Sequence, residues 1–225
     1  WLGLRYPIDK TVKAVAVNGS NLVAVGEKGN LYSIENKQTI KTFKSGAGAD
    51  IAVVKGLVYV STGTAVEKSD NSGQTRSLIK DFSVNAGICT DTSGNLYGLS
   101  NNVVKKLKDG AAVDVVTKGI EGAIDVAVDE KNDFVYVLES SVIKRFSLST
   151  GSIQVSFGTG AVKPNSISVD EIGNVYVSDK GKDYKNSKII KFAPGNGAVS
   201  QFQNQDFLKS QQNFEGTGET ASTEE

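Results

Sequence analysis

Hydrophobic and polar residues alternate along this chain in short runs, with turn chemistry between them, and no run carries a sustained helical stripe. The stretch from Pro164 shows the pattern best. Ile167 and Val169 alternate with small polar residues, Asp170 to Asn174 has the composition of a turn, and Val175 and Val177 resume the alternation. Lys188 to Phe192 then supplies a third strand and Ala198 to Phe202 a fourth. The same four-strand phrase begins at Val12, Ile51, Gly87 and Asp125. Aligning the second strands on Ala24, Tyr59, Tyr97, Tyr136 and Tyr176 gives successive spacings of 35, 38, 39 and 40 residues. A repeat of that length built from four short strands predicts propeller blades, because one such sheet cannot bury its apolar faces alone.

The expected fold class is therefore all-β, a single β-propeller with five visible four-stranded blades. A sixth is allowed for, as a partial blade built from the two termini. A β-sandwich also uses short alternating strands, but the near-constant period favours the propeller. Residues 1–203 form the expected propeller domain, with Trp1 to Tyr6 as a short strand that closes the ring or joins a partial blade. Residues 204–225 form a C-terminal extension, ending in Gly/Thr/Glu/Ser material expected to act as a tail or linker.

The phrase at Pro164, with its Ile-x-Val-Asp, Gly-Asn and Tyr-Val-x-Asp segments followed by Lys188 to Phe192, resembles an NHL repeat. That resemblance implies a propeller and leaves the ligand unassigned. Pro164-Asn165 ahead of Ile-x-Val-Asp is also similar to the metal-binding asparagine strand of the gluconolactonase (senescence-marker) propellers. Those propellers hold a divalent metal on the axis with a Glu, an Asn and an Asp. Only Asn165 carries over. Ile124 and Ala86 stand at the equivalent positions, with Asp125 and Asn85 each one residue away.

Composition removes several chemistries. Acidic and basic residues number 25 each and histidine is absent, so no Ser-His-Asp triad, Cys-His dyad or imidazole acid/base exists here. Cys89 is the single cysteine and permits no internal disulfide; its strand-like setting reads as a small apolar residue. Three arginines and scattered lysines do not form a nucleic-acid surface. No run approaches the roughly 18 apolar residues of a membrane helix. A chain that starts at Trp1 and contains no Met reads as a processed or excised piece, either cytoplasmic or secreted. Asn18-Gly19-Ser20 fits a glycosylation sequon and equally a turn. The Asp-x-x-Gly-Asn turns at Asp91 and Asp170 lack the oxygen ligands of a calcium loop and read as hairpin turns capped by their own Asp.

These features predict a non-catalytic binding module, with no cofactor, no metal and a protein as the expected partner. The alternatives are a metal-dependent hydrolase or lactonase, and a structural domain of a larger assembly. Asp50, Asn85, Asp125 and Asn165 each lie near the start of an innermost strand and are expected to ring the mouth of the central channel. The insert from Lys180 to Ser187 lengthens a loop on the same face. Within it Lys182, Asp183, Tyr184 and Lys185 are the candidate partner contacts, with Tyr184 as the anchor.

Overall fold

Five antiparallel sheets of four strands each, arranged as the blades of a propeller, hold nearly all the regular structure among the described residues. The computed structural model describes residues 12–19, 21–26, 30–35, 38–44, 50–69, 76–79, 82–194 and 197–203. Blade 1 consists of β1 (Val12–Asn18), β2 (Asn21–Gly26), β3 (Asn30–Glu35) and β4 (Gln38–Lys44). Blade 2 consists of β5 (Asp50–Val54), β6 (Leu57–Ser61), β7 (Val66–Ser69) and β8 (Arg76–Ile79). In blade 3 follow β9 (Ile88–Thr90), β10 (Leu96–Ser100), β11 (Val103–Lys108) and β12 (Ala111–Val116). Blade 4 has β13 (Asp125–Asp129), β14 (Phe134–Leu138), β15 (Val142–Ser147) and β16 (Ile153–Gly158). Blade 5 has β17 (Pro164–Val169), β18 (Val175–Asp179), β19 (Lys188–Ala193) and β20 (Gly197–Gln203). Two short 3-10 turns, Glu130–Asn132 and Tyr184–Asn186, are the other regular pieces among the described residues.

Strand pairing follows chain order within every blade, and the first strand of each blade lines the axis. The register sets which face meets which neighbour. Ala52 pairs with Tyr59, Cys89 with Tyr97, Ala127 with Tyr136 and Ser168 with Tyr176. Blade 1 departs from the sequence alignment by one residue. Its first hairpin closes at Asn18 and Asn21, as blade 2 closes at Val54 and Leu57, so the counterpart of Tyr59 is Val23, paired with Ala16, and not Ala24. A tight turn fixes register, and a one-residue slip exchanges the faces. Val23 and Val25 accordingly pack toward blade 2, against Ile51, Val58 and Val60.

Apolar clusters join consecutive blades. Ala52, Tyr59 and Val66 of blade 2 meet Ile88 and Leu96 of blade 3, with Phe82 and Val84 from the connection between them. Tyr97, Leu99 and Val104 meet Val126, Val128, Val135 and Val137 across the next junction. Ala127, Tyr136 and Ile143 meet Ile167, Val175, Val177 and Phe192 across the one after. Each fully buried large aliphatic contributes about 1.5–3 kcal/mol, so these junctions dominate the stability.

The junction from blade 5 to blade 1 is different. No apolar cluster of described residues spans it. Blade 5 presents Ser166, Ser168 and the half-buried Tyr176 on that side, and blade 1 presents Val15 and Val17, which are 57% and 70% exposed. The expected strand at Trp1 to Tyr6 and the extension at 204–225 lie outside the described residues. No helix of the described chain is long and apolar enough to cross a membrane.

Candidate functional site

The first strands of the five blades enclose a channel of about 330 Å³, lined by strand residues that include Asp50, Asp125, Cys89, Ser166 and Ser168. Asp50 opens β5 and Asp125 opens β13, and the two share one pattern of amide acceptance, to which Asp125 adds the Ser166 side chain. One carboxylate oxygen of each accepts the amide N–H of the following residue, Ile51 or Val126, at 2.8 Å. The other oxygen crosses to the next blade and accepts Ile88 N–H, or Ile167 N–H, again at 2.8 Å. Each aspartate thus ties two consecutive inner strands together beside the axis.

Gly87, between these two carboxyls in blade 3, has a necessary absence of side chain: a Cβ there would collide with the Asp125 carboxylate. Burial raises both acids, Asp50 to about 7 and Asp125 to about 6. The Asp125 charge pushes Asp50 further up, and the amide donors pull the other way on each. Cys89 stands on the same wall; burial, then Asp125 and Asp50, hold its thiol well above the usual range. A thiol so placed stays protonated and is a poor nucleophile.

The end of the propeller where the inner strands begin, here called the upper face, also carries the insert. The pairing of Pro164 with Asp179 puts residues 180–187 beside the start of β17. Asp179, at the end of β18, is buried and accepts the N–H groups of Val162, Lys163 and Gly181 at 2.7–2.9 Å. Burial opposes its ionisation, but those three donors outweigh it and hold the carboxyl below its usual range. Lys180 N–H bonds Lys163 C=O, a further tie between the insert and the connection leading into β17. Asp183 caps the short turn by accepting Lys185 N–H, Asn186 N–H and the Asn186 side-chain amide. Gly181 has φ +62°, and a Cβ there would strike the Asn186 carbonyl, so only glycine fits the fold-back.

The residues expected to ring the channel divide. Asp50 and Asp125 meet at the axis. Asn85 does not reach it: it is exposed and exchanges hydrogen bonds with Asn101, whose N–H and side chain both engage it. Asn165 is half-buried at an irregularity in β17 and lies off the channel wall, where Ser166 occupies the position equivalent to Asp125. Lys182, Asp183 and Lys185 are exposed on the insert, and Tyr184 sits in its turn, with its side chain outside the described residues. Gly87, Cys89 and Ser166 were not anticipated at the axis. The sequence held one usable signal, the shared phrases Asp50-Ile-Ala-Val and Asp125-Val-Ala-Val, which mark two inner strands as equivalent. Among the described residues no group of three His, Cys, Asp or Glu side chains converges as a metal site.

The lower face is built from turns. Asp91 accepts Asn95 N–H, the Asn95 side chain and the Tyr97 hydroxyl; Asp170 accepts Asn174 N–H, the Asn174 side chain and the Tyr176 hydroxyl. Their oxygens are committed to their own hairpins, as the turn chemistry predicted.

No protein-family model matches the chain. Solved structures do resemble it. A chain of a nidogen/laminin complex is 14% identical over 87% of this chain and 81% of that chain, with a TM-score of 0.69. A gluconolactonase from Xanthomonas campestris is 14% identical over 86% and 76%, at 0.68. Virginiamycin B lyase from Staphylococcus aureus is 12% identical over 87% and 71%, at 0.62. Identities this low establish the shared propeller, and the fold serves both protein binding and catalysis among these neighbours.

Proposed function

We propose that this propeller is a non-catalytic recognition module that takes a protein partner on its upper face. The observation that carries the proposal is the use of the two axial carboxyls. Each is spent on amide donors from two blades, so the acids at the channel hold the frame together and present no free acid/base pair to a substrate. The braced insert supports the same reading. A loop fixed by its own aspartates loses little conformational freedom when a partner docks, which favours affinity. That one similar structure is a nidogen/laminin complex fits this role.

The test is capture of partners by the intact chain, compared with the double variant Tyr184→Ala, Asn165→Ala. Binding should weaken by about 1–3 kcal/mol, the usual scale for anchor residues, while the melting temperature stays within about 2 °C of the parent, as for surface substitutions. Lys55→Ala, in the tight lower-face turn at φ 47°, is the control and should leave binding unchanged. Equal binding by the double variant and the parent would move the partner off this face.

A further inference from the structure

We draw no further inference here: the strongest candidate, the surface patch at the junction from blade 5 to blade 1, where blade 1 presents the exposed Val15 and Val17 and blade 5 the exposed Ser166 and Ser168, carries nothing because no described residue shows what covers it.

Discussion

Aspartate does opposite work at the two ends of this propeller. On the lower face Asp170 is half-buried, and its hydrogen bonds to Asn174, Tyr176 and Ile172 outweigh desolvation and hold it below the usual carboxylate range. All its partners lie within six residues, so it shapes one hairpin. On the upper face Asp50 and Asp125 reach 38 and 42 residues along the chain, into the next blade, and burial raises them. The lower aspartates form blades, and the upper ones tie blade 2 to blade 3 and blade 4 to blade 5. The contrast also separates cheap from costly polar groups: a capped acid in a surface turn keeps part of its hydration, whereas one beside the axis depends more on its protein partners.

The strongest way to break this contrast is to fill the space the upper pair requires. Gly87→Ala puts a methyl against the Asp125 carboxylate, which cannot withdraw without giving up Ile167 N–H or Val126 N–H. Overpacking of this kind costs about 3 kcal/mol. Urea denaturation should show the loss with an unchanged slope. A loss below about 1 kcal/mol would mean that the carboxylate has room to move and that the clamp is loose. By contrast Gly173→Ala on the lower face should act through backbone strain at φ +84°, since the nearest atoms there stand at 3.4 Å or beyond.

The same contrast governs what was legible in the sequence. The lower face could be read because its partners are local: Asp170, Gly173 and Asn174 form one phrase, and turn chemistry predicts a carboxylate that closes its own loop. The five described blades and their strand order followed from the period. The blade 1 alignment slipped by one residue because Val23, Ala24 and Val25 are all small and apolar, and only the two-residue turn decides which of them face blade 2. The upper site was half legible. Asp50 and Asp125 stood out as polar strand openings, but Asn85 and Asn165 share that trait and are used elsewhere. Which polar residue reaches the next blade is set by register across some 40 residues, which no local pattern carries. The role of Gly87 could not be read at all, since it comes from Asp125, a residue of another blade.

A second prediction uses pH to separate the ends. Asp50 and Asp125 have folded values raised above an ordinary carboxylate, so the folded state holds protons that the unfolded state releases. Their contribution is complete below about pH 4 and is lost as pH rises through about 6 and 7. Stability should therefore fall as pH rises from about 4 to about 7, on the order of several kcal/mol at about 1.4 kcal/mol for each pH unit between an ordinary carboxylate and the folded values. The lower acid Asp170 has the opposite sign: its contribution is present above the unfolded value and is lost as pH drops below about 4. Melting temperature against pH should peak in the mildly acidic range. Asp50→Asn should flatten the alkaline limb and leave the acid limb in place. An unchanged alkaline limb in that variant would show that Asp50 is not the group responsible.

The smallest effect compares two copies of one lower-face device. Tyr97 and Tyr176 both donate their hydroxyls to the aspartate of their own turn, at 2.9 and 3.0 Å. Tyr97 is wholly buried at the junction between blades 3 and 4, while Tyr176 is half-buried on the side of blade 5 where no apolar cluster of described residues forms. Removing a hydroxyl costs the net hydrogen bond, and more when its acceptor is left enclosed without a replacement. Asp91 is itself buried, and water has little access to take the place of the Tyr97 hydroxyl. Tyr97→Phe should cost about 1.5 kcal/mol and Tyr176→Phe about 0.5 kcal/mol. Paired denaturation curves will measure the difference. If the two losses are equal, the side of blade 5 that faces blade 1 is as dry as the sealed junctions. The absence of an apolar cluster among the described residues there would then not mean that water reaches it.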